Sequence, residues 1–358
     1  MKKVLFCTPT GGRTGSEMML QYMLATWQDL VSPHIYTRGT GEVFSAYPTV
    51  TYPKRGDFVG PFYEGIYFKL KKESPEFALL RKLQHQERFD MWYLNTIQMY
   101  SLAPLAVQMG IPYWVHVHEL LSVYEELPRE AFDFLLKNAA KIIACGTQVL
   151  DCIQSMGYGQ VVLVHEGIDT RLMVPSGQLH VRQSLGIPSD IYLWAMSGTA
   201  NTRKGYDLVP ELLSYLPPTH GLLWIGGESK TGLGHYVTSR CRHENRAFFQ
   251  VGPQTDQYYD YLAAAQGFVL LSREDPFPLV MLEAAYLGLP VLGFSSGGVS
   301  EFVEPSFGEV VEGISPKALA QRMISWADQP APVNAARAKA MQFDVMRRKS
   351  EFQDLFRA

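Results

Sequence analysis

Apolar residues in this chain occur in short unbroken runs, and between the runs they recur at three- and four-residue spacing. The runs at 4–8, 88–94, 113–117, 141–145 and 161–164 have strand length, which predicts buried strands. A second set follows at 192–196, 221–225, 248–251, 267–271 and 291–294. Helical spacing predicts helices over 17–27, 104–109, 131–140 and 147–156, then over 206–216, 256–265 and 278–287. Residues 315–326 and 335–356 close the chain as helices. Strand and helix in alternation specify a parallel sheet covered by helices on both faces. Residues 38–87 are the least regular, punctuated by Tyr47-Pro48 and Tyr52-Pro53, and read as loops and short helices. They include an aromatic stretch, 58–68, followed by Lys69, Lys71 and Lys72.

Between 175 and 189 apolar density falls and Gly, Pro, Ser and Gln rise, after which the alternation restarts. The break predicts two doubly wound α/β domains, 1–178 and 190–334, and a final helix, 335–358, packing back on the first domain. A length of 358 residues leaves room for two cores. A cleft between two such domains is the default ligand site. Composition is that of a soluble globular protein, 47% apolar and 19% charged. A net charge of -3 argues against a dedicated nucleic-acid binder, which presents a strongly basic face. No run approaches the ~20 apolar residues of a membrane span, and the N-terminus reads as a first strand and not a signal peptide. Cys7, Cys145, Cys152 and Cys241 show no C-x-x-C spacing, so free thiols in a reducing, cytoplasmic compartment are expected.

The chemistry concentrates in residues 272–301. A strand leads into a proline-punctuated turn, then a short helix, a second strand and Gly297-Gly298. The helix start, at Pro278, Leu279 and Val280, offers backbone N–H groups and a partial positive charge to a phosphate. Asp275 stands just before it and Glu283 in its second turn, on the order of 10–12 Å apart along the axis. One carboxylate can hold a diol by accepting from both of its hydroxyls. Lys204 is a point charge for a phosphate, with Arg203 beside it. Each residue has a plainer reading: Glu283 as a structural glutamate, Lys204 as a solvated loop lysine, and Gly11, Gly12 and Gly15 as turn-formers before they are phosphate contacts.

Asp275-x7-Glu283, Gly288-Leu289-Pro290-Val291, Gly297-Gly298, Lys204-Gly205 and Glu166-Gly167-Ile168-Asp169 together resemble the retaining, GT-B-fold glycosyltransferases of family 4. The resemblance implies two Rossmann-like domains facing across a cleft. It also implies transfer of a sugar from a nucleotide sugar to a glycan or lipid-linked acceptor, as in bacterial surface polysaccharide synthesis. Retention follows in that family from a leaving phosphate that helps to deprotonate the acceptor on the same face, so no metal or other cofactor is expected. The absence of a D-x-D triplet agrees. With the nucleotide sugar that the resemblance implies, Glu283 is the ribose ligand, Asp275 accepts from sugar hydroxyls, and Lys204 with Arg203 meets the diphosphate. Family position makes His118, with Glu119, a donor-sugar contact. Thr199 stands where the family often carries an arginine, and the second cation falls instead on Arg203. Position adds Glu166 as a donor or acceptor contact, Glu274 as the rival first carboxylate, and Gly298 of the glycine loop. The aromatic and basic stretch, 58–72, reads as a packed loop or as a contact to a lipid-linked acceptor at the inner membrane face.

Three other readings of the same residues stand beside this one. A GT-B sugar-nucleotide epimerase needs no acceptor. A metallohydrolase uses His116 and His118, which point the same way from one strand; zinc needs a third protein ligand, and no nearby Asp, Cys or His offers an obvious one. A binder without catalysis retains the donor and does not turn it over.

Overall fold

The computed structural model describes residues 1–52, 73–227 and 232–357. The expected acceptor stretch at 58–72 lies outside them. The chain forms two compact units, Met1–His165 with the segment from Arg348 onward, and Glu166–Arg347.

The first unit carries a seven-stranded sheet: β1 Lys2–Thr8, β2 Val31–Thr37, β3 Thr49–Thr51, β4 Met91–Asn95, β5 Tyr113–Val117, β6 Lys141–Ala144 and β7 Val161–Leu163. The second carries six strands: β8 Tyr192–Ser197, β9 His220–Ile225, β10 Ala247–Val251, β11 Gly267–Leu270, β12 Val291–Phe294 and β13 Gly308–Val311. Every strand pairing among the described residues is parallel. The orders are β3-β2-β1-β4-β5-β6-β7 and β10-β9-β8-β11-β12-β13, so each sheet winds outward in both directions from its first strand. β4 and β5 are buried along their whole length, as strands with helices on both faces must be.

β2 and the helix Pro75–Glu87 were not legible as such. β2 reads VSPHIYT, with Pro33 inside it and no apolar run. The proline is tolerated because β3 pairs only from Ile35 onward, so this part of β2 has one neighbour, β1. The helix begins with Ser74, whose side chain accepts from the Phe77 N–H, and a proline in its first turn. β13 and the helix Gly232–His243 also went unread. Gly267 begins β11 because the Trp194 ring lies over it: a Cβ there would come within 2.4 Å of the indole.

The weakly apolar segment after 175 does not separate the units. It lies within the second, where the buried Asp260 carboxylate accepts from the Gly177 N–H at 2.7 Å. The expected helix over 335–356 is broken into Val333–Ala340, a 3-10 turn and Lys349–Arg357. Asp344 makes the break: it accepts from the Met346 and Arg347 N–H groups at 2.9 and 3.1 Å, and from the Thr170 hydroxyl at 2.6 Å. Only the last piece returns to the first unit. There Trp27 Nε1 donates to the Phe352 carbonyl at 2.7 Å, and Phe356 packs against the Trp27 and Trp114 rings. No helix among the described residues is long and apolar enough to cross a membrane.

Candidate active site

In the second unit β8 and β11 are neighbours whose connections leave in opposite directions. The crevice beyond their C-terminal ends is where such a sheet takes a ligand. The loop after β8 brings Lys204 there and the loop after β11 brings Asp275. Lys204 Nζ lies 2.5 Å from Asp275 Oδ2, with both side chains largely buried. Ser272 Oγ donates to the same oxygen at 3.0 Å. The two residues expected at neighbouring parts of a donor, its diphosphate and its sugar, are thus an ion pair with each other.

Glycines make this pairing possible. Gly205 has φ 74°, and a Cβ on it would fall 2.1 Å from the Leu271 carbonyl, so the Lys204 loop presses directly on the end of β11. A Cβ on Gly298 would meet the Phe277 ring and the Pro276 carbonyl at 2.6 Å. The Gly298 N–H donates to Pro276 O at 2.8 Å, and the Asp275 N–H to Ser296 O at 2.7 Å. Gly297-Gly298 therefore braces the Asp275 loop from behind. Arg203 donates through one guanidinium nitrogen to the Glu274 carbonyl at 2.9 Å, which ties the two loops a second time. Of the rival carboxylates, Asp275 is the one that meets the lysine. Thr199 is exposed on the same loop as Lys204.

The helix Leu279–Tyr286 follows Pro278, and no side chain caps its start. Leu279 is buried and Val280 half-buried. Glu283 is buried one turn in. The Tyr258 hydroxyl donates to its Oε2 at 3.0 Å and the Tyr259 hydroxyl to its Oε1 at 3.3 Å. The Tyr258 oxygen also lies 3.2 Å from Ser197 Oγ at the end of β8. Sequence reasoning missed both tyrosines, which it read only as part of the helix at 256–265. They aim the carboxylate.

In the first unit the loop after β1 holds the glycines. A Cβ on Gly11 would touch the Gly41 carbonyl at 3.0 Å, so Gly11 serves close packing against the 38–41 turn. Gly12 donates to Thr10 Oγ1 at 3.1 Å, and a Cβ on Gly15 would meet nothing within 4 Å. Glu17 is more than a first-turn glutamate. It is buried and accepts from Thr8 Oγ1 at 2.6 Å, from Ser16 Oγ at 2.8 Å and from the Thr14 hydroxyl. Burial pushes its carboxyl above the ordinary range.

β5 delivers His116 and His118 to the same side, with ring centroids 3.9 Å apart. His116 is wholly buried, with Nδ1 2.8 Å from the Tyr93 hydroxyl. Burial, helped by His118, pulls its pKa well below the usual histidine value, so it is a neutral core histidine. His118 is half-buried, and its Nε2 lies 3.2 Å from Asn95 Oδ1. Glu119 faces inward: its Oε2 accepts from the His118 and Ile97 N–H groups at 2.9 and 3.3 Å, and burial raises its pKa. It holds backbone in place. Cys145, distant in sequence, brings its sulfur within 4.8 Å of a His118 ring nitrogen. None of the four cysteines is in a disulfide, and Glu166 is buried at the start of the second unit.

Two family profiles match the chain: "Glycosyltransferase Family 4" over residues 13–172 and "Glycosyl transferases group 1" over 178–342. Among curated proteins, a D-inositol 3-phosphate glycosyltransferase of Catenulispora acidiphila is 28% identical over 57% of the chain and 53% of its own length. One from Streptomyces avermitilis is 30% identical over 48% of the chain and 40% of its length. The chain thus spans about half the length of these relatives. A putative teichuronic acid biosynthesis glycosyltransferase of Bacillus subtilis is 24% identical over 73% of the chain and 68% of its length. Among solved structures, Anabaena HepE in complex with UDP and glucose superposes with a TM-score of 0.86, at 20% identity, over the whole of both chains.

Proposed function

The chain belongs to the glycosyltransferases of group 1 and family 4, with the GT-B fold, and on that footing we propose that it moves a hexosyl unit from a nucleotide sugar to a glycan or lipid-linked acceptor. The observation that carries this reading is the buried Lys204–Asp275 pair, set at the switch point of the second sheet beside a helix start that no side chain caps. An incoming diphosphate competes for the ammonium. Lys204 turns to the phosphates together with the amides of Leu279 and Val280, and Arg203 stands behind them. Asp275, released from its cation, accepts from hydroxyls of the sugar. Glu283, aimed by Tyr258 and Tyr259, accepts from the ribose diol. His118 is assigned the donor sugar or the transition state.

The protein's work in this mechanism is to stabilise the charge that develops on the leaving diphosphate and to position two substrates. The departing phosphate oxygen takes the acceptor's proton on the face it leaves, so configuration at the anomeric carbon is retained and no metal is needed. Anabaena HepE, with UDP and glucose bound, supports a UDP-hexose donor as the first class to test. The relative named for teichuronic acid biosynthesis supports a surface polysaccharide acceptor, met at the cytoplasmic face of the membrane.

Thermal unfolding against a panel of UDP-, GDP-, ADP- and CDP-sugars tests the donor, because a ligand that binds only the folded state raises apparent stability. One class is expected to raise the midpoint, and Glu283→Ala to abolish that shift. The variant takes an acceptor from two tyrosine hydroxyls, a loss on the order of 1–3 kcal/mol, so each protein is compared with its own ligand-free midpoint. An undiminished shift in Glu283→Ala removes the ribose assignment. The anomeric configuration of the product, read by NMR, decides retention.

A further inference from the structure

A chain of hydrogen bonds in the first unit runs from Glu17 to His118, and chemistry sets the polarity of every link. Glu17 Oε1 accepts from the Thr8 hydroxyl at 2.6 Å, which spends that hydroxyl's only hydrogen. Thr8 Oγ1 is then the acceptor for Asn95 Nδ2, at 3.4 Å. The same Asn95 nitrogen donates to the Ser16 carbonyl at 3.1 Å, an oxygen that has no hydrogen to give. These two acceptors fix which end of the Asn95 amide is nitrogen. Its Oδ1 therefore faces His118 Nε2 at 3.2 Å, and an amide oxygen can only accept.

The backbone beside Asn95 is locked as firmly. Thr96, a β-branched residue, sits at φ 91° and ψ 152°, a region that side chains rarely enter. Three bonds hold it there. Its N–H donates to the His116 carbonyl at 3.0 Å, its Oγ1 accepts from the Gln98 N–H at 3.2 Å, and Glu119 takes the Ile97 N–H. Asn95 itself is fully buried. Neither the amide nor the strand end that carries it has another arrangement that keeps these bonds.

We propose that Asn95 is a positioning residue that holds the His118 ring with its hydrogen on Nε2, so that His118 serves the reaction in one tautomer and one orientation. The Ser16 carbonyl and Thr8 Oγ1 set the direction of the Asn95 amide. The inference rests on the role given to His118 in the transferase reading, yet its first readout does not depend on turnover. The ligand-free protein, with nitrogen-15 in its histidines, is examined by one-bond and long-range proton–nitrogen NMR well above the imidazole pKa of roughly 6.5. His118→Gln assigns the signals. The expected result is a His118 Nε2–H proton that survives exchange with water. Asn95→Leu abolishes that signal and lowers kcat about tenfold or more with little change in donor KM, the pattern of an interaction made mainly in the transition state. Asn95→Asp, which still presents an accepting oxygen, restores the Nε2–H signal. A His118 hydrogen on Nδ1 in the parent protein overturns the proposal, whether or not any variant folds. So does an Nε2–H signal that persists in Asn95→Leu. A positioned His118 in a protein without transferase activity leaves the inference standing and removes the transferase reading instead.

Discussion

At the scale of single residues, the structure turns several expected ligands into pairs. Lys204 and Asp275 were separate assignments on the sequence, one for phosphate and one for sugar. In the fold each is the other's counter-ion, which explains how two such charges tolerate burial before a donor arrives. Glu283 is likewise partnered by tyrosines that no spacing rule points to. Glu17 is the residue whose environment most exceeds its sequence reading, and its protonation has a consequence for stability. The carboxyl titrates near 4.5 in an unfolded chain and higher in the fold, because burial disfavours the anion. The folded state therefore holds the proton more tightly. That contribution is fully present below 4.5 and is lost as pH rises through the folded value. Glu17→Gln keeps a neutral side chain at every pH and removes the dependence. Urea midpoints of the two proteins should differ more, in favour of the parent, at pH below the carboxylate range than at neutrality; a gap that does not narrow as pH rises contradicts the assignment.

At the scale of elements, the loops after β8, β11 and β12 act as one device. Gly205 lets the lysine loop lie on Leu271, and Gly298 lets the glycine loop lie on Pro276 and Phe277. Gly205→Ala combines a left-handed backbone with a carbonyl 2.1 Å from the new methyl group. The conformation alone costs of order 1–3 kcal/mol. The variant should lose stability by at least that amount in denaturant titrations and should bind nucleotide more weakly, because Lys204 shifts with its neighbour. Normal stability in Gly205→Ala would show that the loops adjust independently. Most strands of both sheets were legible, because unbroken apolar runs with helices between them have few alternative folds. The motif at 272–301 was legible for the same reason, with one carboxylate just before a helix and the other inside it. β2 was not, since its pairing with β1 supplies what its composition lacks. Nor was Asn95, a polar residue at the end of an apolar run. Its meaning comes from Ser16, Thr8 and His118, which only the fold brings near.

At the scale of the whole molecule, the chain builds two doubly wound sheets and then sends its last helix back to the first. The fold class was legible from alternation alone. The limits of the units were not, because a stretch poor in apolar residues looked like a linker. Buried Asp260 and Asp344 instead pin the 170–177 region within the second unit. The helix Lys349–Arg357 buries Phe352, Leu355 and Phe356 in the first unit, a contribution of about 1.5–3 kcal/mol for each side chain. Truncation before Lys349 should therefore expose Trp27 and Trp114 and lower the melting temperature of the first unit; unchanged tryptophan fluorescence and melting would contradict the packing. The claim on which the functional account rests is tested most directly by a crystal structure of the protein with a UDP-hexose. The account predicts the diphosphate at the amides of Leu279 and Val280, the Lys204 ammonium moved from Asp275 to a phosphate oxygen, and the ribose hydroxyls on Glu283. A nucleotide bound elsewhere, with Lys204 and Asp275 still joined, would contradict it.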